Sequence, residues 1–191
     1  MSREAELPER APSFVVAMEA SGCVLAFDTS ADFGTIVIAQ LSTKEPPRWL
    51  AERRIDEPRQ QSSQLAPMIS EALEAAGVSV GQLAGVVVGA GPGSFTGVRV
   101  AAATAKGLVF GSPTPLWTPS SLLGAALDPL WGDEPLRCVA FDARGDRVYA
   151  AAYEVAPDGP ARVVYPPAAT TINSAISAPS VVPDPGGRCV R

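Results

Sequence analysis

Three consecutive valines, Val86, Val87 and Val88, run straight into Gly89-Ala90-Gly91-Pro92-Gly93, after which apolar residues recur at helical spacing from Phe95. A short, wholly apolar run of this kind is a strand buried on both faces of a sheet. A buried strand that turns through glycines directly into a helix is a building block of α/β architecture. The helix is expected over residues 95–110, with Ser94 as its cap, Gly111 at its end and Pro113 beyond.

The remaining segments arrange themselves around this unit. Residues 24–27 and 34–41 form two apolar runs separated by Asp28-Thr29-Ser30-Ala31-Asp32, and residues 49–55 suggest a third strand, so the first part reads as an antiparallel meander. From Ser62 the period changes. Leu65, Met68, Ile69, Ala72, Leu73 and Ala76 recur at helical spacing and Gly77 supplies a stop. Pro67 has no N–H, so the regular helix either starts close to it or bends there. A strand over 114–118 and a helix over 120–127 complete a first lobe, residues 22–128, preceded by a flexible leader over 1–21 that Pro8 and Pro12 interrupt. Residues 129–136, bounded by Pro129 and Pro135, read as a linker to a partial second lobe over 137–191. There, residues 137–141 and 147–155 are expected to be strands joined at Ala143-Arg144-Gly145-Asp146. A short helix over 171–178 and a strand over 180–182 follow in a region that prolines break into fragments.

Composition bounds the chemistry. The 191 residues, 47% of them hydrophobic, suffice for a buried core without disulfides or metals. They include no histidine, which excludes a Ser-His-Asp triad, a Cys-His dyad, a histidine-ligated zinc and a histidine proton shuttle. Cys23, Cys138 and Cys189 are widely spaced and odd in number, unlike a disulfide framework or a metal pair, and no metal ligands are assigned. Fifteen basic against twenty acidic side chains leave a net charge of -5, with only short basic doublets such as Arg53-Arg54. Tight, unaided nucleic-acid binding would call for a basic stripe. No apolar run approaches the length of a membrane span, and a cytoplasmic location is expected.

Two segments carry residues suited to binding. Asp28, Thr29 and Ser30 stand at a strand-turn-strand, where an acid and hydroxyls can cradle phosphate and hydrated magnesium, although the same residues are also ordinary turn formers. Gly91, Gly93 and Ser94 lie at the glycine turn before the helix, where unpaired amides can meet an anion. That turn lacks the Gly-Lys-Ser/Thr of a Walker loop and the spacing of a nucleophile elbow, so Ser94 reads as a cap and no catalytic residue is assigned. In the following helix Gly97, Ala101 and Ala105 fall at four-residue steps beside Val98, Ala102 and Leu108. Such a face admits close approach either by the core or by a partner. Asp142, Arg144, Asp146 and Arg147 crowd the second-lobe turn as a solvated hairpin would.

Leu25-Ala26-Phe27-Asp28-Thr29-Ser30, the segment from Val87 through Gly97-Val98-Arg99, Ala105-Lys106-Gly107 and Phe141-Asp142-Ala143-Arg144 together resemble the bacterial TsaB (YeaZ) family, over residues 23–153. The resemblance implies an actin-like, ASKHA-type (ribonuclease H-like) lobe with a mixed sheet, followed by a short or incomplete second lobe of related type. It also implies a noncatalytic scaffold that binds the transferase TsaD, with the ATPase TsaE in the complex, in making threonylcarbamoyladenosine beside the tRNA anticodon. On that pattern tRNA is contacted indirectly, this chain alone binds no cofactor, and ATP and magnesium belong to the assembled complex. The family's partner surface, which also forms a homodimer, is a pair of helices. Carried onto this chain it comprises Leu65, Met68, Ile69, Ala72, Gly97, Val98, Ala101, Ala102, Ala105 and Leu108. Where relatives open the first helix with Arg-Arg-His-Ser-Glu, this chain has Arg59-Gln60-Gln61-Ser62-Ser63, with less charge. The second lobe is either minimal or shortened. The alternative from another class is an ATP-dependent phosphotransferase of the same fold using Asp28.

Overall fold

The computed structural model describes residues 21–57, 60–156 and 161–177. Residues 1–20 of the expected leader and the strand expected at 180–182 lie outside the described residues.

Three strands open the fold: β1 (Gly22–Asp28), β2 (Gly34–Leu41) and β3 (Arg48–Ile55). They form the expected antiparallel meander. Helix α1 (Gln61–Ala76) carries Leu65, Ile69, Ala72 and Leu73 on its buried stripe and ends where Gly77 turns left-handed at φ 67°. It neither starts nor stops at Pro67, which is exposed and sits inside the helix. An exposed proline there deprives only a solvent-side carbonyl of its donor. Strand β4 (Leu83–Val88) then lies parallel to β1, and β5 (Leu116–Trp117), shorter than expected, lies parallel to β4.

The resulting sheet has the order β3-β2-β1-β4-β5, with β2 the one strand running against the rest. This is the mixed, ribonuclease H-like sheet implied by the resemblance. α1 and α2 (Phe95–Val109) bury Leu65, Ile69, Ala72, Ala101 and Ala105 against Leu25, Phe27, Ile36, Ile38, Val86 and Val88 of the sheet. The alternate positions of β1, β2 and β4 thus supply one continuous apolar face.

A second sheet, β6-β7-β8, consists of β6 (Leu136–Asp142), β7 (Arg147–Glu154) and β8 (Arg162–Thr171), all antiparallel. β8 corrects the fragmented region expected there. Pro166 and Pro167 are exposed within an outer strand, where a missing N–H costs the ladder little. α4 (Ile172–Ser177) follows at once. Helix α3 (Ser121–Ala126) supplies Leu122 and Ala126 to the core of this second sheet, beside Val139, Ala151 and Tyr153. Between α3 and β6, a short 3-10 turn (Pro129–Trp131) is held by Arg137. Its guanidinium donates to the carbonyls of Ala126 at 2.8 Å and Gly132 at 3.0 Å, and through Nε to that of Glu134 at 2.9 Å.

Candidate functional site

The strand-turn-strand after β1 and the glycine turn before α2 meet, and they meet tightly. The Ser30 amide donates to Asp28 Oδ1 at 2.6 Å, which closes the first turn on itself. The Ser94 amide donates to the Ser30 carbonyl at 2.6 Å, and the buried Thr29 hydroxyl donates to the Gly97 carbonyl at 2.7 Å. Ser94 Oγ caps α2 by accepting from the Gly97 amide at 3.2 Å. On the other side, the Gly91 amide donates to Ser121 Oγ at 3.0 Å while the Ser121 amide donates to the Gly91 carbonyl at 2.8 Å.

Glycine is required where these backbones cross. A Cβ on Gly97 would stand 1.8 Å from the Thr29 carbonyl oxygen, and one on Gly93 would stand 2.2 Å from that of Ser30. The other carboxyl oxygen of Asp28, Oδ2, occupies the space beside Gly89 that a Cβ would need. The structure therefore brings together all six residues of the composite phosphate site, Asp28, Thr29, Ser30, Gly91, Gly93 and Ser94, but turns several of their polar groups toward one another. Beside Gly89, Gly97 and Gly93 lie the Asp28 carboxylate and the Thr29 and Ser30 carbonyls rather than open space.

The helical face is divided. Leu65, Ile69, Ala72, Gly97, Ala101 and Ala105, assigned above to a partner surface, are buried within this single chain. This corrects the assignment for those six. Small residues at four-residue steps let α2 sit close over the sheet and the Thr29 turn, so the core takes up the ridge. Met68, Val98 and Leu108 are half-buried and Ala102 is exposed. The outward faces carry Ala66, Pro67 and Ser70 on α1, and Ala102, Ala103 and Gly107 on α2.

Residues not singled out from sequence also contribute. Phe95, 70% exposed, lies under the Arg99 guanidinium at 3.8 Å from the ring centroid, and Phe33 under that of Arg54 at 4.1 Å. Phe95 adjoins the interlocked turns through Ser94. The Ser121 contact has no signal in the sequence, where Ser120-Ser121 reads only as a helix start. Beneath it, Tyr153 is buried. Burial pushes its hydroxyl above the usual tyrosine range, and the nearby Ser120 hydroxyl opposes this in part. The two hydroxyls do not meet in hydrogen-bond geometry, and each lacks a partner among the described residues. Among those residues no cluster of three or more Cys, Asp or Glu side chains is placed to hold a metal ion, and no helix is long and apolar enough to cross a membrane.

Residues 56–167, more than half of the chain, match the family model of TsaD, tRNA N6-adenosine threonylcarbamoyltransferase. The chain belongs to that family, in its TsaB (YeaZ) group. The tRNA threonylcarbamoyladenosine biosynthesis protein TsaB of Haemophilus influenzae is 35% identical over 127 residues, covering 66% of this chain and 51% of that protein. TsaB of Escherichia coli is 35% identical over 98 residues, covering 51% of this chain and 42% of its own. YeaZ from Pseudomonas aeruginosa superimposes with a TM-score of 0.68 at 30% identity, over 78% of this chain and 68% of that one. The chain thus spans about half the length of the curated TsaB relatives it matches, 51% and 42% of them. The actin-like fold of the TsaB group is the fold described above.

Proposed function

We propose that this chain serves threonylcarbamoyladenosine formation in tRNA as a noncatalytic partner subunit that binds and steadies a TsaD-type transferase, with TsaE joining the complex and tRNA held mainly by the transferase. The observation that carries this reading is the interlock of Ser30, Thr29 and Asp28 with Gly89, Gly93, Ser94 and Gly97. A lobe built to turn over a nucleotide needs open amides and a free carboxylate at this junction, whereas here the Ser30 and Ser94 amides and one oxygen of Asp28 are taken up within the joint. The absence of histidine from the sequence agrees with a subunit that leaves bond-making to its partner. On this reading ATP and magnesium act in the assembled complex, in the cytoplasm where tRNA is modified.

The partner surface is the outward side of α1 and α2. Ala66, Ser70, Ala102, Ala103 and Gly107 let another helix approach closely, and half-buried Met68, Val98 and Leu108 supply apolar area beneath them. The same surface serves a homodimer when the transferase is absent. Co-expression with TsaD tests the reading. A defined larger complex should form, and Ala103→Glu should weaken it by about tenfold or more without lowering the melting temperature of the free chain. The purified chain alone should show no saturable ATP hydrolysis. ATP turnover by the pure protein that Asp28→Asn abolishes, or indifference to TsaD, would sink the proposal.

A further inference from the structure

The outward sides of α1 and α2 carry opposite charge. α1 exposes Glu71 and Glu74 and has no basic residue, whereas α2 exposes Arg99 and Lys106 and has no acidic one. Arg99 and Lys106 lie two helical turns apart, on the side of α2 away from the buried Gly97, Ala101 and Ala105. Ala102 and Ala103 between them leave room for a neighbouring helix. An exposed phenylalanine marks each end of α2, Phe95 at 70% exposure and Phe110 at 90%.

These two cations differ from others in the chain in having no acid of their own. Arg53, Arg54 and Arg162 each have a carboxylate of this chain within ion-pair distance, and Arg137 is bonded to carbonyls. Arg99 and Lys106 form no ion pair among the described residues. Arg99 is nonetheless held in place. Its guanidinium lies 3.8 Å from the ring centroid of Phe95, one helical turn before it. Stacking orders this long side chain before any partner arrives and leaves its N–H edge for a carboxylate, which lowers the ordering cost of binding.

We propose that α2 meets an acidic helix face of the TsaD-type transferase, with Arg99 and Lys106 receiving its carboxylates and Phe95 and Phe110 buried at the two ends of the contact. The inference rests on the partner reading above and adds the sign of the surface that fits. Opposite signs on adjacent helices also give the contact a direction. An acidic segment drawn to α2 is repelled by Glu71 and Glu74, so it settles over one helix and not the other. The same glutamates disfavour RNA as the occupant, because a phosphate backbone would meet them beside the cations on a chain whose net charge is -5.

Titration of the full-length chain with purified TsaD, followed by calorimetry, tests this. Arg99→Glu and Lys106→Glu should each weaken the complex by about tenfold or more, with the melting temperature of the free chain unchanged. Arg99→Lys keeps the charge and should weaken it less than Arg99→Glu. Raising salt from about 0.05 M to about 0.5 M should weaken binding by about tenfold, and should affect the reversed variants less. Lys106 should react with an amine-directed reagent in the free chain and be shielded in the complex, with exposed Lys44 as the reference. A complex that forms but ignores both reversals and salt overturns this inference and leaves the partner reading standing. A Lys106 already shielded in the free chain overturns it too, as does tRNA binding by the chain alone that Arg99→Glu abolishes. If TsaD does not bind at all, both readings fall.

Discussion

Both sheets begin with a seven-residue strand that ends Ala-Phe-Asp, β1 at Asp28 and β6 at Asp142. In both, Oδ1 of the aspartate accepts from the amide two residues on, Ser30 or Arg144, at 2.6 Å. Each strand then pairs with an eight-residue antiparallel successor. Beyond this the two turns diverge. Over the first, the junction of β4 and α2 lays two close backbone approaches, at Gly93 and Gly97, and Thr29 and Ser30 become buried. The second stays in solvent, with Arg144 at φ 71° and Gly145 at φ 70°. Local sequence writes the same turn twice, and what lies across it decides whether the turn is a rigid joint or an exposed loop.

The contrast can be broken most sharply at the glycines. Gly97→Ala should cost about 3 kcal/mol or more in urea unfolding, because the new methyl collides with the carbonyl of Thr29, a residue held in place by its hydroxyl's bond to the Gly97 carbonyl. If it costs under half of that, the two turns are not locked and the first is as loose as the second. Asp28→Ala should come next, at about 1–2 kcal/mol, since the Ser30 amide loses a charged acceptor in a half-buried setting. Asp142→Ala should cost less than half as much, because water replaces the lost acceptor. Gly145→Ala should cost about 1 kcal/mol, the penalty for a side chain in the left-handed region with open space around it. The smallest effect concerns the second core. Because the Tyr153 hydroxyl is raised in the folded state, its contribution is fully present below the free-tyrosine value of 10.0 and is lost as pH rises from there through the raised value. Tyr153→Phe should flatten this alkaline decline in a pH series of melting temperatures and change neutral-pH stability by about 1 kcal/mol or less.

Much of the fold is legible in the residues. The change from period two to period 3.6 at Ser62 and the valine run at 86–88 place β1 to β4, α1 and α2 within a few residues, because burial on one side imposes those periods. β8 is hidden by Pro166 and Pro167, which forbid a central strand and are tolerated at an edge. The ridge of Gly97, Ala101 and Ala105 reads equally as core or as docking face, since small side chains permit close approach by either. Only the position of the Thr29 turn, far away in sequence, decides for the core. Likewise Asp28, Thr29 and Ser30 point to the right neighbours among the glycines, but which groups face inward depends on contacts almost seventy residues apart in sequence, as between Thr29 and Gly97.

The three carbonyls gripped by Arg137 have a mechanical consequence. A passage between two sheets is where a protein would ordinarily be cut or hinged, yet here a permanently charged fork pins both ends of it to the start of β6. A protease nick near Gly132 should therefore leave the halves associated. Lysine, with a single ammonium on a flexible stem, could not replace all three grips at once.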